Sequence, residues 1–172
     1  AFVVVHGVAG SAISLNFDHF SLFEFSIFMV ELVGTAIFLF ILVGVLDRKD
    51  VSAGGKAIGI GLALMVGILV SSAIMDATKQ QAIADYQKDA ANVSAQEKAT
   101  EIPHAAFVKG AALNPAVALV STESTESELT GQSTTEEEAK YTRFTLEVLL
   151  GTLAGAAVGA LLYRLTTYAI KQ

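Results

Sequence analysis

A chain of 172 residues that is 53% hydrophobic and 16% charged, with a mean hydropathy of +0.57, is too apolar for an ordinary soluble domain, whose apolar share is about 45–50%. Its net charge of -6 is concentrated in two polar stretches, so it describes solvated loops and argues against a nucleic-acid-binding role. The absence of cysteine excludes a disulfide framework and any thiolate metal site, and the expected class is an all-α membrane protein.

The chain opens on Ala1 without an initiator Met, and residues 1–15 lack the charged start of a signal peptide. Processing, or a further N-terminal part of the gene product, is therefore expected. Residues 1–24 form an outer loop or interfacial segment in this reading, with Phe17, Phe20, Phe23 and Phe25 near the membrane surface, where aromatic rings settle. The alternative is the frayed end of a preceding helix.

Residues 25–75 hold two predicted spans. Phe25–Leu46 is long enough to cross a bilayer core of about 30 Å and carries a single charge, Glu31. A carboxyl group inside a span normally faces protein or water, so Glu31 reads either as a functional residue or as a structural acceptor that holds a neighbouring loop. A turn with Arg48, Lys49 and Lys56 follows, and then Ala57–Met75, whose Gly59, Gly61 and Gly67 allow close helix approach. Residues 76–104 are an outer insertion, rich in Ala, Gln and Lys, expected as a solvated helix or hairpin beyond the span. Within it Asn92-Val93-Ser94 matches a glycosylation acceptor, a pattern short enough to arise by chance.

Residues 105–120 contain the stretch around which the rest is organised. Asn114 is a good N-cap, and Pro115 suits the first helical position, where its missing N–H is no loss. The apolar run from Ala116 stops at Ser121, far short of a span. Inside a membrane such a half-helix is tolerated only where it is buried in protein or faces a watery cavity. Its free N–H groups and the Asn114 carboxamide are thereby placed beside a candidate solute path, within the stretch Ala111, Ala112, Leu113, Asn114, Pro115, Ala116 and Val117.

Residues 121–143 are an acidic Ser/Thr-rich insertion. Between Ser121 and Lys140 six glutamates face one lysine, a composition that does not order itself readily; docking to a partner is the alternative reading. Residues 144–165 supply the third span, Phe144–Tyr163, where Gly151, Gly155 and Gly159 make a small-residue ridge for tight helix contact. Residues 166–172 are a tail. The positive-inside rule puts Arg48, Lys49, Lys56, Arg164 and Lys171 on the cytoplasmic side and both insertions outside. His6, His19 and His104 lack metal-ligand spacing and read as loop residues, and no nucleophile has a positioned base. No metal, cofactor or enzymatic activity is expected.

Taken together, the half-helix, the Glu31 span and the glycine ridge resemble the C-terminal half of the aquaporin and glycerol-facilitator family. Glu31-Leu-Val-Gly34-Thr35 is similar to that family's Glu-x-x-x-Thr helix, and Gly110 to Val117 to its second Asn-Pro-Ala loop. Gly151 to Tyr163 looks like its final helix. The resemblance covers roughly residues 20–75 and 105–165, with the insertions as departures. It implies an aquaporin-like half: three transmembrane helices plus one re-entrant Asn-Pro-Ala half-helix, drawn from a fold of two inverted repeats. It also implies that Asn114 donates a hydrogen bond to water or a polyol, that the positive helix ends exclude cations, and that Glu31 supports the loop. One repeat does not close a pore, so an N-terminal repeat is expected on the same gene product or another chain. The family further implies a homotetramer. Where its members usually carry Arg after Asn-Pro-Ala, this chain has Val117, and the other filter position on the loop is Ala111. Such a filter is wider and less polar than the family norm.

Two functions compete on this reading. The first is a passive channel for water, glycerol or similar neutral solutes in the plasma membrane. The second is a non-conducting subunit that uses the same fold to display its outer insertions to an extracellular protein partner.

Overall fold

A computed structural model of the chain describes residues 13–14, 23–92, 102–131 and 140–170. The elements in order are β1 (Ile13–Ser14), α1 (Phe25–Asp47), α2 (Ala53–Asn92), α3 (His104–Phe107), α4 (Pro115–Val120), α5 (Glu126–Thr130), β2 (Lys140–Tyr141) and α6 (Leu146–Ile170). Three of them, α1, α2 and α6, are long and apolar enough to cross a membrane, which fits a membrane-embedded, all-α chain. The two short strands pair in parallel, Ile13 with Lys140 and Ser14 with Tyr141.

At 23 residues, α1 is about 34 Å long and passes through the middle of the bundle. It runs parallel to α6. Gly151, Gly155 and Gly159, spaced one turn apart, lie over the carbonyls of Phe28, Leu32 and Ala36, and a Cβ on Gly151 would come within 2.7 Å of the Phe28 oxygen. Only glycine permits backbones this close, so the ridge fixes the α1–α6 crossing. The α2 helix runs antiparallel to α1. Gly59 meets Val45 near one end, Gly67 meets the Gly34 carbonyl in the middle, and Met75 joins Ile27 and Val30 at the other end in a small core completed by Ala105 and Val108. Outward positions such as Leu62, Leu69, Leu153 and Leu161 are exposed and apolar, as a lipid-facing surface requires.

Several boundaries differ from the sequence expectation. The second span does not give way to a separate insertion at Asp76, because α2 continues unbroken to Asn92. No Gly or Pro interrupts residues 68–102, the composition favours helix, and Ala82 packs against the Met75 core, so each further turn propagates from an existing one. The last helix likewise extends past Tyr163 to Ile170 and absorbs most of the expected tail. The acidic segment is ordered at its start: Glu123 and Ser124 are buried, Ser124 N–H donates to the Phe107 carbonyl, and α5 is capped by Thr125 Oγ1, which accepts from Glu128 N–H at 3.3 Å. Phe17, Phe20, His6, His19 and the Asn92-Val93-Ser94 pattern beyond its Asn lie outside the described residues.

Candidate functional site

One end of the bundle gathers the first turns of α1 and α6, the middle of α2 and the short helices α3 to α5. The chain leaves α3, turns at Gly110 in the left-handed region (φ 66°), and reaches Leu113, the one non-glycine residue with positive φ (53°) among the described residues. This turn is held from two sides. Leu113 is buried, with its Cδ atoms in a notch where α1 and α2 lack side chains: a Cβ on Gly67 would stand 3.2 Å from Leu113 Cδ1, and one on Gly34 would collide with Leu113 Cδ2. The second hold is Glu31, two turns into α1 and fully buried.

The Glu31 carboxylate is saturated by donors. Oε1 accepts the Ala112 N–H at 2.8 Å and Arg143 Nη2 at 2.7 Å, and Oε2 accepts the Leu113 N–H at 2.7 Å. Hydrogen bonds to an ionised acceptor are the strong kind, and two consecutive backbone donors fix both position and orientation of the loop. Arg143 is 3% exposed at the side chain and Glu31 0%, so the pair is a buried ion pair. Burial lowers the Arg143 guanidinium from its ordinary range, against the opposing pull of Glu31 and Glu123.

With the loop held, Asn114 caps α4 in an extended conformation, and its Oδ1 accepts the Ala116 N–H at 2.8 Å. This bond engages Oδ1 at the helix start and leaves the carboxamide on an exposed residue. Ala116 and Val117 are exposed beside it, and Pro115 is half-buried. The side chains of Ala112 and Leu113 are buried, Ala112 against Ala118 and Val148, while Ala111 is half-buried against the Met75 core. The structure thus separates the sequence-predicted residues. Asn114, Ala116 and Val117 form an outward face, whereas Ala112 and Leu113 serve through their backbone and as packing. Gly151, Gly155 and Gly159 take part only in helix contact.

No family model, curated protein or solved structure matches this chain.

Further charged groups belong to this end. Glu24, just before α1, accepts the Ala105 N–H at 2.9 Å through Oε2, and its own N–H donates to Glu147 Oε1 at 2.7 Å. His104 is buried at the start of α3 instead of lying in an open loop, with Nε2 2.7 Å from Glu123 Oε1. Arg143 and Glu147 flank the entry to α6, and both are buried. A signal for Glu24 existed: it precedes Glu31 by seven residues, two helical turns, and so shares its face. The signal for Arg143 was the need of a buried carboxylate for a counter-charge.

An apolar groove lies elsewhere, between α1 and α6, with a volume of about 640 Å³ lined by Leu32, Val33, Phe40, Ile41, Val158 and Leu162 among others. Thr166 is its one polar lining residue, so it lacks the convergent polar groups that orient a ligand. Among the described residues no three His, Asp or Glu side chains are placed to hold a metal ion.

Proposed function

We propose that this chain supplies one wall of a passive membrane pathway for small neutral solutes such as water or glycerol, in the manner of an aquaporin half. The observation that carries the reading is the exposed Asn114 carboxamide at the tip of a loop clamped by Glu31. Leu113, its neighbour, sits at the level of Gly34, about 14 Å along a helix of about 34 Å. A loop reaching that depth in a span bundle is re-entrant, which membranes tolerate only beside protein or water. The adjoining residues Ala111, Ala116 and Val117 are uncharged, and Glu31 is matched by Arg143. A hydroxyl or water is thereby offered a carboxamide donor with no net charge to attract an ion. The outward face of Asn114, Ala116 and Val117 leaves the opposite wall to an N-terminal repeat or another chain, within a homotetramer.

Vesicles reconstituted with the full-length protein should shrink in a glycerol or sucrose gradient faster than protein-free vesicles, and Asn114→Ala should slow them several-fold, since a solute that loses its hydrogen-bond partner in a confined path meets a higher barrier. Permeability equal to that of bare lipid for both water and glycerol would falsify the reading.

The non-conducting alternative draws on a different observation: from Asp76 to Asn92 α2 continues about 25 Å past its apolar section. If this extension is a docking arm, replacing its exposed residues Gln80, Asp85 and Lys88 with Ser should abolish partner capture and leave solute flux unchanged.

A further inference from the structure

We propose that Arg143 is the positioning residue for Asn114. This rests on the pathway reading above and adds to it the group that sets the loop in place. Arg143 lies between β2 and α6, 29 residues after Asn114 in the sequence, yet it reaches both ends of α4. Its backbone N–H donates at 2.9 Å to the carbonyl of Ser121, the residue that caps the C-terminus of α4. Its guanidinium donates at 2.7 Å to Glu31 Oε1, and Glu31 holds the two amides immediately before Asn114. Further contacts fix the strand of chain from which it reaches. Glu123 N–H donates to the Tyr141 carbonyl at 3.1 Å, and Thr122 and Thr142 form an antiparallel bridge. The six-residue helix is therefore framed front and back by one side chain and its own backbone.

The electrostatics give the frame its direction. Glu31 is 0% exposed, and a buried carboxylate without a counter-charge neutralises by taking up a proton. A protonated carboxyl has one oxygen occupied by hydrogen and accepts poorly there, so one of the two loop amides loses its partner. Leu113 sits at positive φ, a conformation that a bulky side chain keeps only under such constraint. Arg143 thus acts through Glu31 on the loop, and through the loop on Asn114. Because Nη2 makes the contact and Nε has no partner among the described residues, one nitrogen of positive charge is what the position requires. Lysine should satisfy it and glutamine should not.

The experiment measures amide hydrogen exchange of the full-length protein in lipid nanodiscs, for wild type, Arg143→Lys, Arg143→Gln and Glu31→Gln. Infrared spectra of the same samples report protonated carboxyl groups. In Arg143→Gln at least one of the amides of Ala112 and Leu113 should exchange roughly tenfold faster, the weight of one hydrogen bond to a charged acceptor. Exchange in the middle of α1 and α6 should stay at the wild-type rate. A protonated-carboxyl band should appear in Arg143→Gln and vanish when Glu31→Gln is added. Arg143→Lys should resemble wild type in both readouts. Unchanged exchange at 112 and 113 in Arg143→Gln overturns the proposal, and so does uniform acceleration across all helices without the carboxyl band. If Arg143→Gln does not fold, Arg143→Lys decides: protection at 112 and 113 supports the role and its loss refutes it. Vesicle flux on the same proteins separates the two ideas. A protein that conducts nothing but shows this exchange pattern keeps the role of Arg143 and loses the pathway, and one that conducts without the pattern does the reverse.

Discussion

Two ion pairs in this chain illustrate how far burial decides what a charge does. Arg143 and Glu31 are both removed from solvent, where desolvation offsets most of the attraction and a pair adds little net stability, but removing one partner leaves the other stranded. Glu31→Gln should therefore destabilise the folded protein by roughly 3–5 kcal/mol, measured by unfolding in mixed micelles, even though the substitution preserves shape. A change below about 1 kcal/mol would mean that Arg143 finds another acceptor. Arg48 and Asp50, in the turn between α1 and α2, pair at 2.6 Å in full contact with water. There the Arg48 hydrogen bond, helped by a backbone N–H, holds the Asp50 carboxyl down at about 2. A folded value below the unfolded one means that any contribution is present above about pH 4 and is lost as pH falls through about 2. A nuclear magnetic resonance titration of the Asp50 side chain should show that low midpoint, while Asp50→Asn should leave the unfolding midpoint at pH 7 unmoved, since exposed pairs contribute little.

Glycine in these helices has two opposite meanings, and the surroundings of each Cβ position tell them apart. On α6 a side chain at Gly155 would collide with the Leu32 carbonyl, which is backbone and does not give way. Gly155→Val should force α1 and α6 apart and destabilise by about 1–3 kcal/mol or more, the range for overpacking. On α2 nothing lies within 4 Å of a Cβ at Gly61, so Gly61→Ala should stabilise by about 0.5–1 kcal/mol through helix propensity alone. Thermal unfolding of the two variants in one detergent tests both signs together. The ridge was legible because its four-residue spacing is a local property of the chain, and so were the three spans and the Asn114-Pro115 helix start. The end of α2 was not. Polarity after Met75 marks where water can begin, but a helix ends where a Gly, a Pro or a competing contact stops it, and residues 68–102 offer no such breaker. Glu24, His104, Arg143 and Glu147 were hidden for a related reason. Glu24, His104 and Arg143 lie outside an apolar run, where a charged residue reads as solvated, Glu147 lies in the first turn of the last span, and only the closure of α1, α3 and α6 around them makes the site dry. Glu31 stood out in the sequence because it interrupts an apolar run well inside its span.

Taken whole, the molecule has a polar and an electrostatic axis. Because α1 and α6 run parallel and α2 returns antiparallel on the other side of α1, Glu24, Glu31, His104, Asn114, Arg143 and Glu147 collect at one end. Arg48, Lys49 and Lys56 collect at the other, near Arg164 and the Tyr163 hydroxyl that donates to Asp47 at 2.7 Å. A bilayer core of about 30 Å covers only about 20 helical residues, so the 40 residues of α2 carry Gln87 well clear of the lipid on the Asn114 side. The chain contains no cysteine, which makes single-cysteine labelling unambiguous. Lys49→Cys and Gln87→Cys, each at an exposed position, should react with a membrane-impermeant maleimide from opposite sides of sealed vesicles. The basic end should be the cytoplasmic one, since short loops rich in Arg and Lys are retained on that side. Labelling of both positions from the same side would mean that α2 does not cross, and the level of Asn114 within the bilayer would then have to be assigned afresh. Labelling from opposite sides, with Val117→Cys reacting with the reagent and slowed by added glycerol, would support an aqueous path along the outward face of α4, and a Val117→Cys that reacts only after detergent is added would put that face against lipid or protein.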